Sequence, residues 1–327
     1  MPNILITGGA GFVGCHLARR LAAEPGSRVV LVDNFVRGRL DDELSEVAAR
    51  DNVEMVSADL TDPRAYERLG DGYDEVYHLA AIIGVENVLR RPHEVVRVNA
   101  VATLHLLDWF IGGGGRKLLF SSTSEAYAWT AGFHTLSVPT PEDVPLALTD
   151  LSNPRSSYAG SKIFGELAVA QYCGVYQKPF AIVRYHNVYG PRMGHQHVIP
   201  QLHQRIVAGE DPLVVYSVDH SRAFCHVEDA VAATVLAMRE PAGDGGTFNV
   251  GNDAEEITIG SLAERMLKIT GRRAAIQPAA AGNDPIARRC PDIGRARREL
   301  GYVPQVSLDD GLRQTLAWYA GHRRAAA

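Results

Sequence analysis

Asn3-Ile-Leu-Ile-Thr7 runs directly into Gly8-Gly-Ala-Gly-Phe-Val-Gly14, and this stretch decides the fold. The apolar run predicts a buried strand over Asn3–Thr7, then a glycine turn, then a helix from about Gly11 to Ala23. Gly8, Gly11 and Gly14 have the spacing Gly-x-x-Gly-x-x-Gly. In that context the first glycine permits a tight turn and the second lets backbone approach a pyrophosphate. The third lets the helix close on the sheet, so that amide groups and the helix dipole face phosphates. A second apolar strand, Arg28–Val32, ends in Asp33, 19 residues beyond Gly14. A carboxylate there can hold both ribose hydroxyls and would repel a 2′-phosphate, which favours NAD over NADP. Arg37 and Arg39 nearby pull slightly the other way.

Working outward, Val53–Ser57, Glu75–His78, Lys117–Ser121 and Pro179–Arg184 read as further strands. Helical patterns separate them, notably Glu94–Ile111 and Ser156–Tyr176. Such alternation predicts an α/β fold, a Rossmann-type doubly wound parallel sheet. After Arg184 the texture changes: loops with Pro191, Pro200 and Pro212, a helix near 198–208, strands at Ala223–Val227 and Thr247–Val250 flanking a helix near 228–240, then short helices. The expected division is a dinucleotide domain of 1–184 plus about 223–252, and a smaller C-terminal substrate lobe of about 185–222 plus 253–327.

With 33 basic and 38 acidic residues among 327, the charge is nearly balanced at −5, and no Lys/Arg tract suggests nucleic acid. Arg288, Arg289, Arg295, Arg297 and Arg298 read as a solvated helix plus one anion ligand. Cys15, Cys173, Cys225 and Cys290 lie far apart, which supports neither a disulfide framework nor zinc and points to reduced thiols in a cytoplasmic protein. Because residues 3–7 already form a strand, no signal peptide is expected. No apolar run is read as a membrane span. His186, His195 and His197 are taken as loop residues, with no metal assigned.

Tyr158 and Lys162 in Tyr-Ala-Gly-Ser-Lys share one helix face. A free phenol has a pKa of about 10, and bringing it near 7 requires roughly 4 kcal/mol of phenolate stabilisation. A nearby ammonium and a cationic nicotinamide could supply that together. Phe120-Ser-Ser-Thr-Ser-Glu-Ala-Tyr127 follows a strand, so Thr123 should emerge at the carboxyl edge of the sheet. These groups fit oxidation of a substrate alcohol, with Tyr158 as base. Glu125 is either a second acid/base or a solvated loop carboxylate. Asp59 either accepts from an adenine amine or caps a helix. Ala80 and Ala81 leave room for a cofactor sugar or pack tightly.

With these motifs assembled, the chain resembles the extended short-chain dehydrogenase/reductases of the nucleotide-sugar epimerase/dehydratase family. The likeness includes Asp33-Asn34, His78-Leu-Ala-Ala81, Asn99, Ser122–Tyr127, Arg184–Met193, Arg222–Asp229 and Arg288–Asp292. It implies an NAD site drawn from Gly8, Gly11, Phe12, Val13, Gly14, Asp33, Asn34, Asp59, Leu60, Leu79, Ala80, Ala81, Asn99, Ser121, Tyr158, Lys162 and Tyr185. It implies a nucleotide-sugar substrate whose diphosphate is held by Asn187, Arg222 and Arg289, and a homodimer built on helices 94–111 and 156–176. Ser124 and Arg192 are added as substrate-side candidates, Arg192 because it could pair with a substrate carboxylate. Thr123-Ser124-Glu125 resembles the signature of UDP-glucuronate decarboxylases and GDP-mannose 4,6-dehydratases. Ile82-Ile-Gly-Val85 and the interior of Tyr158–Lys162 depart from the decarboxylase pattern, and dTDP-glucose dehydratases have Asp where this chain has Ser124. The expectation is an epimerase acting through a 4-keto sugar; the alternatives are a decarboxylase or dehydratase using Glu125, or a non-catalytic NAD sensor.

Overall fold

The structure is a computed structural model and describes residues 2–130, 136–280 and 286–322. Its strands are β1 (Asn3–Thr7), β2 (Arg28–Asp33), β3 (Val53–Ser57), β4 (Tyr73–His78), β5 (Gly115–Thr123) and β6 (Phe180–Tyr185), then β7 (Val188–Tyr189), β8 (Leu213–Tyr216), β9 (Ser221–Ala223), β10 (Cys225–His226), β11 (Gly246–Val250), β12 (Glu256–Thr258), β13 (Ile276–Ala279) and β14 (Arg288–Arg289). The α-helices are α1 (Phe12–Ala22), α2 (Asp42–Ala48), α3 (Val85–Arg90), α4 (Pro92–Trp109), α5 (Ser156–Tyr176), α6 (Val198–Val207), α7 (Val227–Arg239), α8 (Ile259–Thr270), α9 (Gly294–Leu300) and α10 (Leu308–Gly321).

Seven strands form one sheet in the order β3-β2-β1-β4-β5-β6-β11, every pair parallel. The chain winds outward from β1 to β3, returns, and continues from β4 in the other direction. The crevice at this reversal lies between the ends of β1 and β4, where open α/β sheets bind ligands. Strand alternation divides the core. Ile4, Ile6, Leu31 and Val183 pack beneath α1 and α7 with Leu17, Leu21 and Val231. Leu5, Val30, Val76 and Phe120 face the opposite way, against Leu106 of α4 and Val169 of α5. Each such fully buried side chain contributes about 1.5–3 kcal/mol. A third core joins Ile199 and Leu202 of α6, Leu262 and Met266 of α8, and Leu312 and Leu316 of α10.

Several boundaries differ from the sequence reading. β4 begins at Tyr73 and β5 extends over Gly115–Thr123. The single strand expected at Ala223–Val227 is two. β9 pairs with β12 and β14, β10 pairs with β7, and the Phe224 amide between them bonds the Glu255 carbonyl. The final third, read as mostly short helices, also holds β12, β13 and β14. Strands of two to four residues are too short to show a period.

Among the described residues one stretch, Pro92–Gly114, is long and apolar enough by composition to cross a bilayer, contrary to the sequence reading. It packs in the second core, and Asn99 ties it to Ser161 on α5 at 3.0 Å. The four cysteines are buried free thiols.

Candidate active site

The turn after β1 is built for close approach. Gly8 has φ +71°, and a Cβ on it would lie 2.8 Å from the Ala80 amide nitrogen. A Cβ on Gly14 would collide with the Gly8 carbonyl, so only glycine lets α1 start against the turn. Phe12 and Val13 open α1 half-buried. Asp33 accepts from the amides of Ala10 (3.1 Å) and Phe35 (2.8 Å), which fixes its carboxylate at the rim of the turn. Asn34 closes the next turn by accepting from the Val36 amide at 3.1 Å.

Asp59 is exposed and binds the Thr61 amide and hydroxyl at 2.9 and 2.8 Å, with buried Leu60 between them. It does not cap the following helix. Asp62 does, accepting from the Arg64 amide. Leu79, Ala80 and Ala81 line the half-buried edge after β4. Asn99 has its amide committed to the Ile82 backbone (2.7 and 3.1 Å) and Ser161, so it shapes this edge from beneath. Tyr185 is tied through its hydroxyl to Thr234 at 2.7 Å.

Gly165 is where α5 touches β5: any Cβ there would strike the Phe120 ring. That approach brings Tyr158 to the end of β5, beside the Thr123 hydroxyl. Burial pushes the phenol up to about 12, opposed by the Thr123 hydroxyl and the Arg37 charge, while Glu125 raises it further. Lys162 does not sit against the phenol as the sequence suggested. Its Nζ donates to the Ser121 carbonyl at 2.7 Å and lies 4.9 Å from the Phe120 ring centroid. Burial lowers it to about 8, partly offset by Glu166. Ser121 donates in turn to the His78 carbonyl at 2.9 Å. Positive charge added beside the phenol would make it more acidic.

On the substrate side, the half-buried Ser124 follows Thr123, and Glu125 forms an ion pair with Arg289. Arg289 and Arg222 are register partners on adjacent parallel strands β14 and β9. Asn187 lies alongside, donating to the Ala223 carbonyl at 3.1 Å. Arg222 also bonds the Ser221 (2.7 Å), Ile286 (3.0 Å) and Ala287 (3.1 Å) carbonyls. Ser124, Asn187, Arg222 and Arg289 thus lie on neighbouring segments. Arg192 does not join them. From a backbone with φ +74°, its guanidinium reaches the glycine turn and Asp41 instead.

The family model described as the NAD dependent epimerase/dehydratase family matches residues 4–251. The chain belongs to this family. It is 32% identical over 326 residues to the UDP-N-acetyl-alpha-D-glucosaminuronate decarboxylase of Bacillus cytotoxicus, covering 96% of this chain and 97% of that protein. It is likewise 32% identical to the UDP-glucose 4-epimerase of Mycolicibacterium smegmatis, with 96% and 97% covered. A solved mutant of the UDP-glucuronic acid 4-epimerase of Bacillus cereus, with UDP-4-deoxy-4-fluoro-glucuronic acid and NAD bound, superposes with a TM-score of 0.86 at 26% identity, covering 98% of this chain and 99% of that one.

NAD is the cofactor of this epimerase/dehydratase family member. The chain fits it: a turn closed to any Cβ at Gly8 and Gly14, and a fixed carboxylate at Asp33. Beneath the site lies a polar network that the sequence reading missed. Arg184 on β6 pairs with Glu166 through both oxygens (2.9 and 2.6 Å) and donates to the Tyr127 hydroxyl at 2.7 Å. Glu166 also accepts from Ser122 at 2.5 Å. Tyr127 and His186 both meet Asn249 Oδ1 at 2.9 Å. The signal was Glu166, a carboxylate four residues past Lys162 on the buried face of α5.

Proposed function

We propose that the chain oxidises a UDP-linked hexuronic acid at C4 and releases its carboxyl group as carbon dioxide. NAD supplies the hydride acceptor and later donor. Tyr158 takes the C4 hydroxyl proton, with Thr123 holding the same oxygen. Arg222, Arg289 and Asn187 hold the diphosphate, as fixed guanidinium donors suit two adjacent phosphates. A 4-ketone makes the C6 carboxylate that of a β-keto acid, so the bond from C5 to C6 breaks with its electrons passing into an enolate. Glu125, beside Tyr158, then governs the proton delivered to C5.

The observation that carries this reading is the Glu125–Arg289 ion pair next to the Tyr158 phenol. C4 inversion alone needs only Thr123, Tyr158 and Lys162. A carboxylate held by an arginine until an incoming anion competes for it is an additional acid/base. The similarity to a UDP-hexuronate decarboxylase supports the same reading. Product NMR in deuterated water, starting from UDP-glucuronate and UDP-N-acetylglucosaminuronate, tests it. A UDP-pentose carrying deuterium at C5 is expected; a C6-intact C4 epimer would replace this reading.

The second reading is that epimerase. It is favoured by the 32% identity to a UDP-glucose 4-epimerase and by the complete Thr123–Tyr158 pair. It requires the keto sugar to rotate before hydride returns. In either reading we propose a cytoplasmic homodimer joined through α4 and α5, whose Val96, Phe164 and Leu167 are exposed. Leu167→Glu should shift the molar mass by light scattering from two chains to one, and a parent already monomeric would refute the pairing.

A further inference from the structure

Arg192 is the residue whose surroundings its expected role least explains. Its side chain is 6% exposed, and φ is +74°, a backbone region that side chains other than glycine seldom adopt. Its guanidinium meets four acceptors. Nε donates to Asp41 at 3.0 and 2.7 Å, Nη1 to the Gly11 carbonyl at 2.9 Å, and Nη2 to the Ala10 and Arg39 carbonyls at 3.2 and 2.9 Å. Two of these carbonyls belong to the glycine turn itself. Asp41, the ion partner, is also the N-cap of α2 and accepts from the Leu44 amide at 3.1 Å.

The neighbours of Arg192 are anchored as firmly. His16 on α1 meets the Pro191 carbonyl at 3.0 Å and Glu228 at 2.8 Å. The Tyr319 hydroxyl of α10 donates to the Met193 carbonyl. Gln196 donates to Glu86 at 2.7 Å, bridging to the far side of the cleft. Residues 191–196 thus form a strap held at both ends, with the Arg192 side chain inserted behind the turn that receives the cofactor pyrophosphate.

We propose that Arg192, with Asp41, is a positioning residue for NAD: a latch that fixes the glycine turn and slows cofactor release. Donating to the Ala10 and Gly11 carbonyls sets the planes of the peptides whose amides lie at the phosphate end of the helix. The guanidinium also adds positive charge behind those amides, partly compensated by Asp41. Removing it leaves three carbonyls and a carboxylate without their shared donor, and the turn loses its template. The inference rests on the NAD site alone and holds for either reading of the reaction.

The test compares the parent with Arg192→Met, Arg192→Lys and Asp41→Asn. NAD per chain is measured by chromatography of the extracted protein, and NAD dissociation by dilution into a trap. Arg192→Met should release NAD at least tenfold faster and carry less of it after purification. Lys should fall between, because one ammonium cannot satisfy the carboxylate and three carbonyls together. Asp41→Asn keeps the helix cap but loses the ion pair, and should speed release several-fold. UDP affinity by calorimetry should be unchanged. A purely structural role would lower the melting temperature and leave NAD release at the parent rate, which would overturn the proposal. So would intact NAD retention with lost UDP affinity, which would return Arg192 to the substrate. Should the Met variant not fold, parent-like NAD release by Asp41→Asn overturns it equally.

Discussion

Glu125 and Arg289, 164 positions apart in the chain, meet as an ion pair beside the Tyr158 phenol. Glu125 is fixed by the turn that Thr123 caps after β5. Arg289 is fixed by β14, paired to β9. In the proposed decarboxylation, an anion arriving at Arg222 and Arg289 would compete for the guanidinium and so free Glu125.

Glu125→Gln preserves size and hydrogen bonding but cannot transfer a proton. Carbon dioxide release should fall roughly 100- to 10,000-fold, the usual worth of a positioned acid/base. Bound NAD, measured by extraction, should match the parent. Parent-like release of carbon dioxide would place Glu125 outside the reaction.

Tyr158→Phe should lower kcat by a similar factor while NAD stays bound, because the phenol touches none of the glycine turn. Thr123→Val should lose less, about 10- to 100-fold, since it removes a hydroxyl beside the phenol and leaves the base. Steady-state rates for both variants check the order. A Thr123 effect exceeding that of Tyr158 would reverse the assigned roles.

Glu166 and Arg184 form an ion pair with side chains 9% and 6% exposed. Glu166→Leu strands a buried guanidinium and should lower unfolding stability by about 3–5 kcal/mol, read from urea denaturation. Glu166 also supports the charge on Lys162, which burial has already lowered to about 8. Glu166→Gln should therefore move the alkaline limb of the activity profile to lower pH.

Burial keeps His78 and His186 neutral, pushing them down to about 3 and about 4. The unfolded chain takes up protons near pH 6.5 while the native one does not, so the contribution is whole above that pH. It is lost as pH falls towards 4, at about 1.4 kcal/mol per unit for each histidine. Urea titrations at pH 7.5, 6 and 5 should show the decline. His78→Asn should make it shallower by one histidine's share, and an unchanged slope would show that His78 does not drive it.

The glycine turn, the Asp33 carboxylate, and Tyr158 with Thr123 were legible because each is local: a spacing on one helix, or a residue at the end of one strand. The doubly wound order followed from alternating apolar runs. What the sequence hid depends on distant segments meeting. The turn of Arg192 towards Ala10 and Gly11, the donation of Lys162 to Ser121, and the Glu125–Arg289 and Glu166–Arg184 pairs all follow from how crossings stack on the sheet. The short strands β9, β10, β12 and β14 were hidden too, since pairing rather than periodicity creates them.

The most direct measurement follows the fate of the carboxyl carbon, using UDP-glucuronate labelled with carbon-13 at C6 and mass spectrometry of the headspace and the nucleotide sugar. Label leaving as carbon dioxide in step with formation of a UDP-pentose is the expected result. Label retained in a C4-inverted UDP-hexuronate, with no carbon dioxide, would contradict the role given to Glu125 and Arg289.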